Sequence, residues 1–233
     1  MLKELLSVFR SSEPLSEMGA NFARMRELTY DMTIRAGEVY FSELLQADAR
    51  TAIYKRDVKV NKLERKIRKQ VIAHLSLTTD RASVPYSLLL MSLVKDVERI
   101  GDYAKNLSEA RDYHPSALPN DQIVEELREI RAGVEQSFAE INSVFEASDH
   151  ERAVELIREG RDILRRCDAL VGRVARSDYA ASAATCVVMG ARFYKRIGAH
   201  VLNVLSSVVM PLHKLDYYDE KSLLKALPDE SSP

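Results

Sequence analysis

The chain contains no tryptophan, and in 233 residues it has only 8 glycines, 7 prolines and 2 cysteines. Such a shortage of breakers over this length excludes a loop-rich or many-stranded fold and favours long helices. Two cysteines, Cys167 and Cys186, form neither a disulfide framework nor a zinc-ligand spacing, as expected of a reducing compartment. Charge of one sign is also lacking: 34 basic against 35 acidic residues leave a net charge of −1, so no overall field favours nucleic acid. No apolar run approaches the roughly 18 residues of a membrane span; the most apolar, residues 86–94, is too short and is followed by Lys95. The first ten residues place Leu2, Leu5, Leu6 and Phe9 on one helical face but lack the apolar core and cleavage site of a signal peptide. A short amphipathic helix over residues 1–13 is expected, docked on the body, on a partner or on a membrane surface, in a cytoplasmic protein.

What is present is helical periodicity. Met18, Phe22, Met25, Met32, Ala36 and Val39 recur at gaps of three and four, interrupted at Thr29, and predict a helix over residues 15–47. Val60, Leu63, Ile67, Val71 and Leu75 predict a second over residues 50–75. Pro85 sits in the first turn of a third that runs to about residue 113. After the break at His114 and Pro115, Asp121 offers a cap for a fourth helix over residues 121–147. A fifth is expected over residues 151–176. A sixth starts near Ser177 and ends at Pro211. Segments 97–107 and 194–204 match at Arg99/Arg196, Ile100/Ile197, Gly101/Gly198 and Asn106/Asn203, each on the last helix of a triplet. The fold class predicted is therefore all-α, two tandem three-helix bundles. The expected division is an N-terminal helix at 1–13, bundles at 14–116 and 117–213, and a C-terminal tail at 214–233.

The chemistry concentrates on the second and third helices. Glu98 and Asp102 lie four residues apart, one turn above the other on the third helix. Asp57, Asn61 and Glu64 share a face of the second. A short connection makes these helices antiparallel neighbours, and Asp57 and Asp102 lie nearly equidistant from it, so all five groups converge on one patch. Four carboxylates together need a cation, bound protons or nearby Lys and Arg. An all-oxygen set suits magnesium, manganese or iron more than zinc. The plainer reading leaves the acids in water beside Lys62, Arg68, Arg99 and Lys105.

The segment 98–106, ERIGDYAKN, resembles the signature of the PhoU family of bacterial and archaeal phosphate-signalling regulators, and residues 57–67 resemble that family's matching segment. The resemblance implies two three-helix bundles with a metal-binding E/D-x-x-x-D motif on each third helix. Carried across, Glu98 and Asp102 take the motif positions and Asp57 and Asn61 the ligand positions of the second helix. It further implies no enzymatic activity and a role in phosphate uptake or sensing. The partner would be a phosphate-transporter ATPase or a sensor histidine kinase, and the chain would form a homodimer. The second copy departs from the pattern, because Lys195 and Ala199 replace the acids; His200 resembles the histidine of the family's GDHA form, and Asp162 has no evident partner. A metal is therefore expected in the first bundle and not in the second.

Two other readings compete with this one. A ferritin-like di-iron enzyme needs Glu-x-x-His pairs, and no histidine here has glutamate three residues before it. No glycine-rich phosphate loop, GxSxG elbow or Cys/His dyad is present either. The second rival, a metal-free helical adaptor unrelated to phosphate, stays open at this point.

Overall fold

The computed structural model describes residues 13–43, 47–79 and 81–216. Six long helices follow one another: α1 (Glu13–Phe41), α2 (Ala47–Leu77), α3 (Val84–Glu109), α4 (Gln122–Ala147), α5 (His150–Val174) and α6 (Ala181–Val209). The rest of the regular structure is short 3-10 turns, and the described residues contain no strand. The expected N-terminal amphipathic helix and the tail beyond residue 216 lie outside the described residues.

The apolar stripes face inward as their spacing demands. Met18, Phe22, Met25, Met32, Ala36 and Val39 are all buried along α1. Thr29, which interrupts that stripe, is buried too, and its hydroxyl donates to the carbonyl oxygens of Met25 and Arg26 at 3.1 and 3.0 Å. Threonine thus satisfies its own polar group within the helix and causes no break. The helix ends at Phe41, short of the expected residue 47, and α2 begins at Ala47, before the expected residue 50.

Helix starts follow capping chemistry. Asp121 accepts from the amides of Ile123 and Val124 at 2.9 and 3.1 Å, as its position predicts. Asp149 does the same for α5 through the amide of Arg152 at 3.0 Å. The sixth helix starts at Ala181, later than the expected Ser177. Ala180 is extended, and the Ser177 hydroxyl donates back to the Val174 carbonyl and accepts from the Tyr179 amide, a turn that precedes the helix rather than capping it.

The helices pack as α1–α2–α3 and α4–α5–α6, and α3 and α6 then pack extensively on each other. One hydrophobic core runs through both triplets. Gly101 and Gly198, the matched glycines, mark close approaches: a Cβ would lie 3.3 Å from Thr29 Cγ2 at the first and 3.0 Å from Leu164 Cδ2 at the second. Among the described glycines the closest approach is at Gly190, where a Cβ would fall 2.3 Å from the Tyr40 hydroxyl, between α6 and α1. Arg111 is buried where the triplets join, and it donates to the carbonyls of His114, Ser116 and Ser42 at 2.6, 2.9 and 3.0 Å. Its guanidinium thereby fixes the connection between the bundles. Cys167 and Cys186 are buried free thiols, pushed up by burial, Cys167 to about 12, and they pack as small apolar residues.

Candidate functional site

The α2–α3 hairpin brings Asp57 and Asp102 to one level, as counting from the turn predicts. The ammonium of Lys105 lies between them, 3.2 Å from Asp57 Oδ2 and 3.3 Å from Asp102 Oδ1. Asp57 is well shielded, with 14% of its side chain exposed, and also faces the Asn61 amide at 3.5 Å. Arg99 pairs with Asp102 at 3.2 Å and approaches Glu98 at 3.8 Å. Glu64 pairs with Arg68 at 2.6 Å. The five sequence-predicted residues thus sit along one groove, and each of its four carboxylates has a basic neighbour. Those neighbours, Arg68, Arg99 and Lys105, are three of the four basic residues of the plainer reading.

The electrostatics follow from this packing. Glu98 is raised above the usual carboxylate range by burial, then by Asp102 and Glu64, with Arg99 pulling it back. Burial works against the charge on Lys105, yet Asp57 and Asp102 outweigh it and its pKa is raised. The metal implied by the resemblance does not fit this arrangement. Among the described residues, no three His, Cys, Asp or Glu side chains form a group that could hold a metal ion. The space between Asp57 and Asp102 is taken by Lys105.

In the second bundle Lys195, which stands in the register of Glu98, pairs with Asp168 on α5, and Arg192 reaches the same carboxylate at 3.3 Å. Asp162 is paired with Arg165 one turn along. Sequence reasoning missed a polar seam between the bundles. Asp96, buried on α3, accepts from Asn203 Nδ2 at 2.8 Å and lies 2.7 Å from His200 Nδ1. The His200 ring stacks on Tyr103, 5.7 Å between centroids. The available signal was an aspartate between Val94 and Val97 on an otherwise apolar stripe, which is costly to bury unless something pairs with it.

The family model of the PhoU domain matches residues 22–110, a span that contains all five groove residues. The match lies within the first bundle and covers α1, α2 and α3 from Phe22 to Ala110. Solved structures extend the PhoU fold over nearly the whole chain. The crystal structure of PhoU from Pseudomonas aeruginosa has a TM-score of 0.75 at 18% identity, covering 94% of this chain and 100% of that one. That of the phosphate transport system regulatory protein PhoU from Streptococcus pneumoniae has a TM-score of 0.73 at 15% identity, covering 88% and 95%. At such identities the likeness is one of fold. No curated protein matches the chain.

Proposed function

We propose that this chain is a non-enzymatic regulator of phosphate uptake or phosphate signalling that works by contacting other proteins. The match to the PhoU domain at residues 22–110 carries the reading, and the fold shared with a phosphate transport system regulatory protein supports it. The surface supports a protein-binding role. Among the described residues, the exposed large apolar side chains all belong to the first bundle and its turns: Tyr54, Val58, Ile72, Leu77, Val84, Leu88 and Tyr113. Leu77 is 85% exposed and Ile72 60%, both near the end of α2, where water gains nothing from them and a partner would.

The partner this reading expects is the ATPase of a phosphate transporter or a phosphate-sensing histidine kinase, met in the cytoplasm by a homodimer of this chain. None of the described helices is long and apolar enough to cross a membrane. No step of the reading runs through a metal. The test is capture of partners by the tagged full chain from its own cells at low and high phosphate. Recovery of the ATPase or the kinase, lost in a Leu77→Asp/Leu88→Asp variant, is the expected result. Partners drawn only from outside phosphate transport and sensing would overturn it in favour of an unrelated adaptor.

A further inference from the structure

Acids that face one another between two packed helices repel unless positive charge lies among them. In the first bundle that charge comes from the helices themselves. Lys105 stands three residues beyond Asp102, and its Nζ spans the groove from Asp102 on α3 to Asp57 on α2, at 3.3 and 3.2 Å. An ammonium has three donors and no acceptor, so it serves two carboxylates at once with a donor to spare. The side chain is 23% exposed, so the tie is largely shielded from water and from salt.

The second bundle has the same kind of tie, built from different positions. Lys195 on α6 reaches Asp168 on α5, nearer the hairpin than the Lys105 contact is in the first bundle. It stands where the repeat places Glu98. Two halves of unlike groove chemistry thus each hold an aspartate of the second helix with a lysine of the third.

We propose that Lys105 is a built-in counter-cation, which holds α2 to α3 in the role a bound metal ion would otherwise fill, with Lys195 its more exposed counterpart in the second bundle, and that the chain is metal-independent. A hard divalent ion such as magnesium wants six oxygens in near-octahedral geometry and gives up its water reluctantly. Between Asp57 and Asp102 it would also have to expel an ammonium already hydrogen-bonded to both. Removing Lys105 leaves the groove short of positive charge and open to an added cation.

The test is metal analysis of the purified full chain, with thermal unfolding in EDTA or excess Mn²⁺ for the wild type, Lys105→Gln and Lys105→Arg. The wild type is expected to carry no stoichiometric metal and to melt at one temperature whether EDTA or Mn²⁺ is present. Lys105→Gln should melt lower by about 2–4 °C, the shift of a 1 kcal/mol loss in a chain of this length, and Mn²⁺ should raise it again. Lys105→Arg, which keeps the charge, should behave as the wild type. A stoichiometric metal in the wild type, a wild-type midpoint that moves with Mn²⁺ or EDTA, an unchanged midpoint in Lys105→Gln, or no recovery of it with Mn²⁺ overturns the proposal. If Lys105→Gln does not fold, the wild type and Lys105→Arg decide it by their indifference to metal. These readouts need no partner, so their outcome is separate from that of the capture experiment.

Discussion

The two bundles share a helical plan and differ in the groove between their second and third helices. In the first, Asp57, Glu64, Glu98 and Asp102 line that groove with Lys105, Arg68 and Arg99 set against them. In the second, Lys195 and Ala199 replace the acids of the third helix, and Asp168 meets Lys195 and Arg192. Charge pairing there is heavier between the first and second helices, where Arg152 joins Glu140 at 2.7 Å and Arg166 and Arg173 join Glu126. Since α5 and α6 pack closely without the acids, this type of bundle does not need them to form. Their presence in the first bundle therefore calls for a reason other than folding. The exposed apolar side chains lie on that bundle as well.

The largest effects should show whether the halves are energetically separate. Ile100 and Ile197 occupy matched positions and are fully buried, so truncation of either to alanine should cost about 2–5 kcal/mol. Because one core runs through both triplets, each substitution should lower a single shared calorimetric transition; two transitions would split the molecule into independent halves. Next in size is Asp96→Ala, which deprives His200 and Asn203 of their acceptor across the seam. A loss of about 1–3 kcal/mol is expected by urea denaturation, and a value near zero would mean the seam contributes specificity without stability.

Smaller again is the contrast between the lysines. Asp57 is 14% exposed and Asp168 54%, so Lys105→Gln should cost about 1 kcal/mol, the upper end for an ion pair near the surface. Lys195→Gln should stay within about 0.5 kcal/mol. Equal losses would remove this distinction between the grooves. Smallest is Glu98→Gln. Burial, then Asp102 and Glu64, hold the Glu98 carboxyl above the usual carboxylate range, so the folded chain binds its proton more tightly than the unfolded one. Glu98 contributes stability while protonated in both states and loses it as pH rises through its raised folded value. The substitution should thus raise the melting temperature slightly near neutral pH, and the gain should shrink as pH falls into the acid range. A metal held by Glu98 would give the opposite sign.

Much of the fold could be read along the chain. The inward stripes of α1 and α3, the cap at Asp121, the break after His114 and the end at Pro211 are local features, and each has a local cause. The convergence of Asp57 with Asp102 was legible too, because a short hairpin fixes which levels of two helices meet. The choice among the basic residues near them was not. Lys62, Arg68, Arg99 and Lys105 are equivalent by spacing, yet only Lys105 bridges Asp57 and Asp102. Asp162 looked unpartnered in sequence and is paired within its own helix. The seam of Asp96, His200 and Asn203 joins residues more than a hundred positions apart, beyond the reach of any helical period.

The sequence by itself determined six helices, their buried faces and the acid-bearing groove, because burial every third or fourth residue and capping are settled within a few turns of chain. Tertiary structure alone decided which charge neutralises which acid and that the two bundles share one core. Long charged side chains reach several candidates each, and the distance between helices far apart in sequence selects among them.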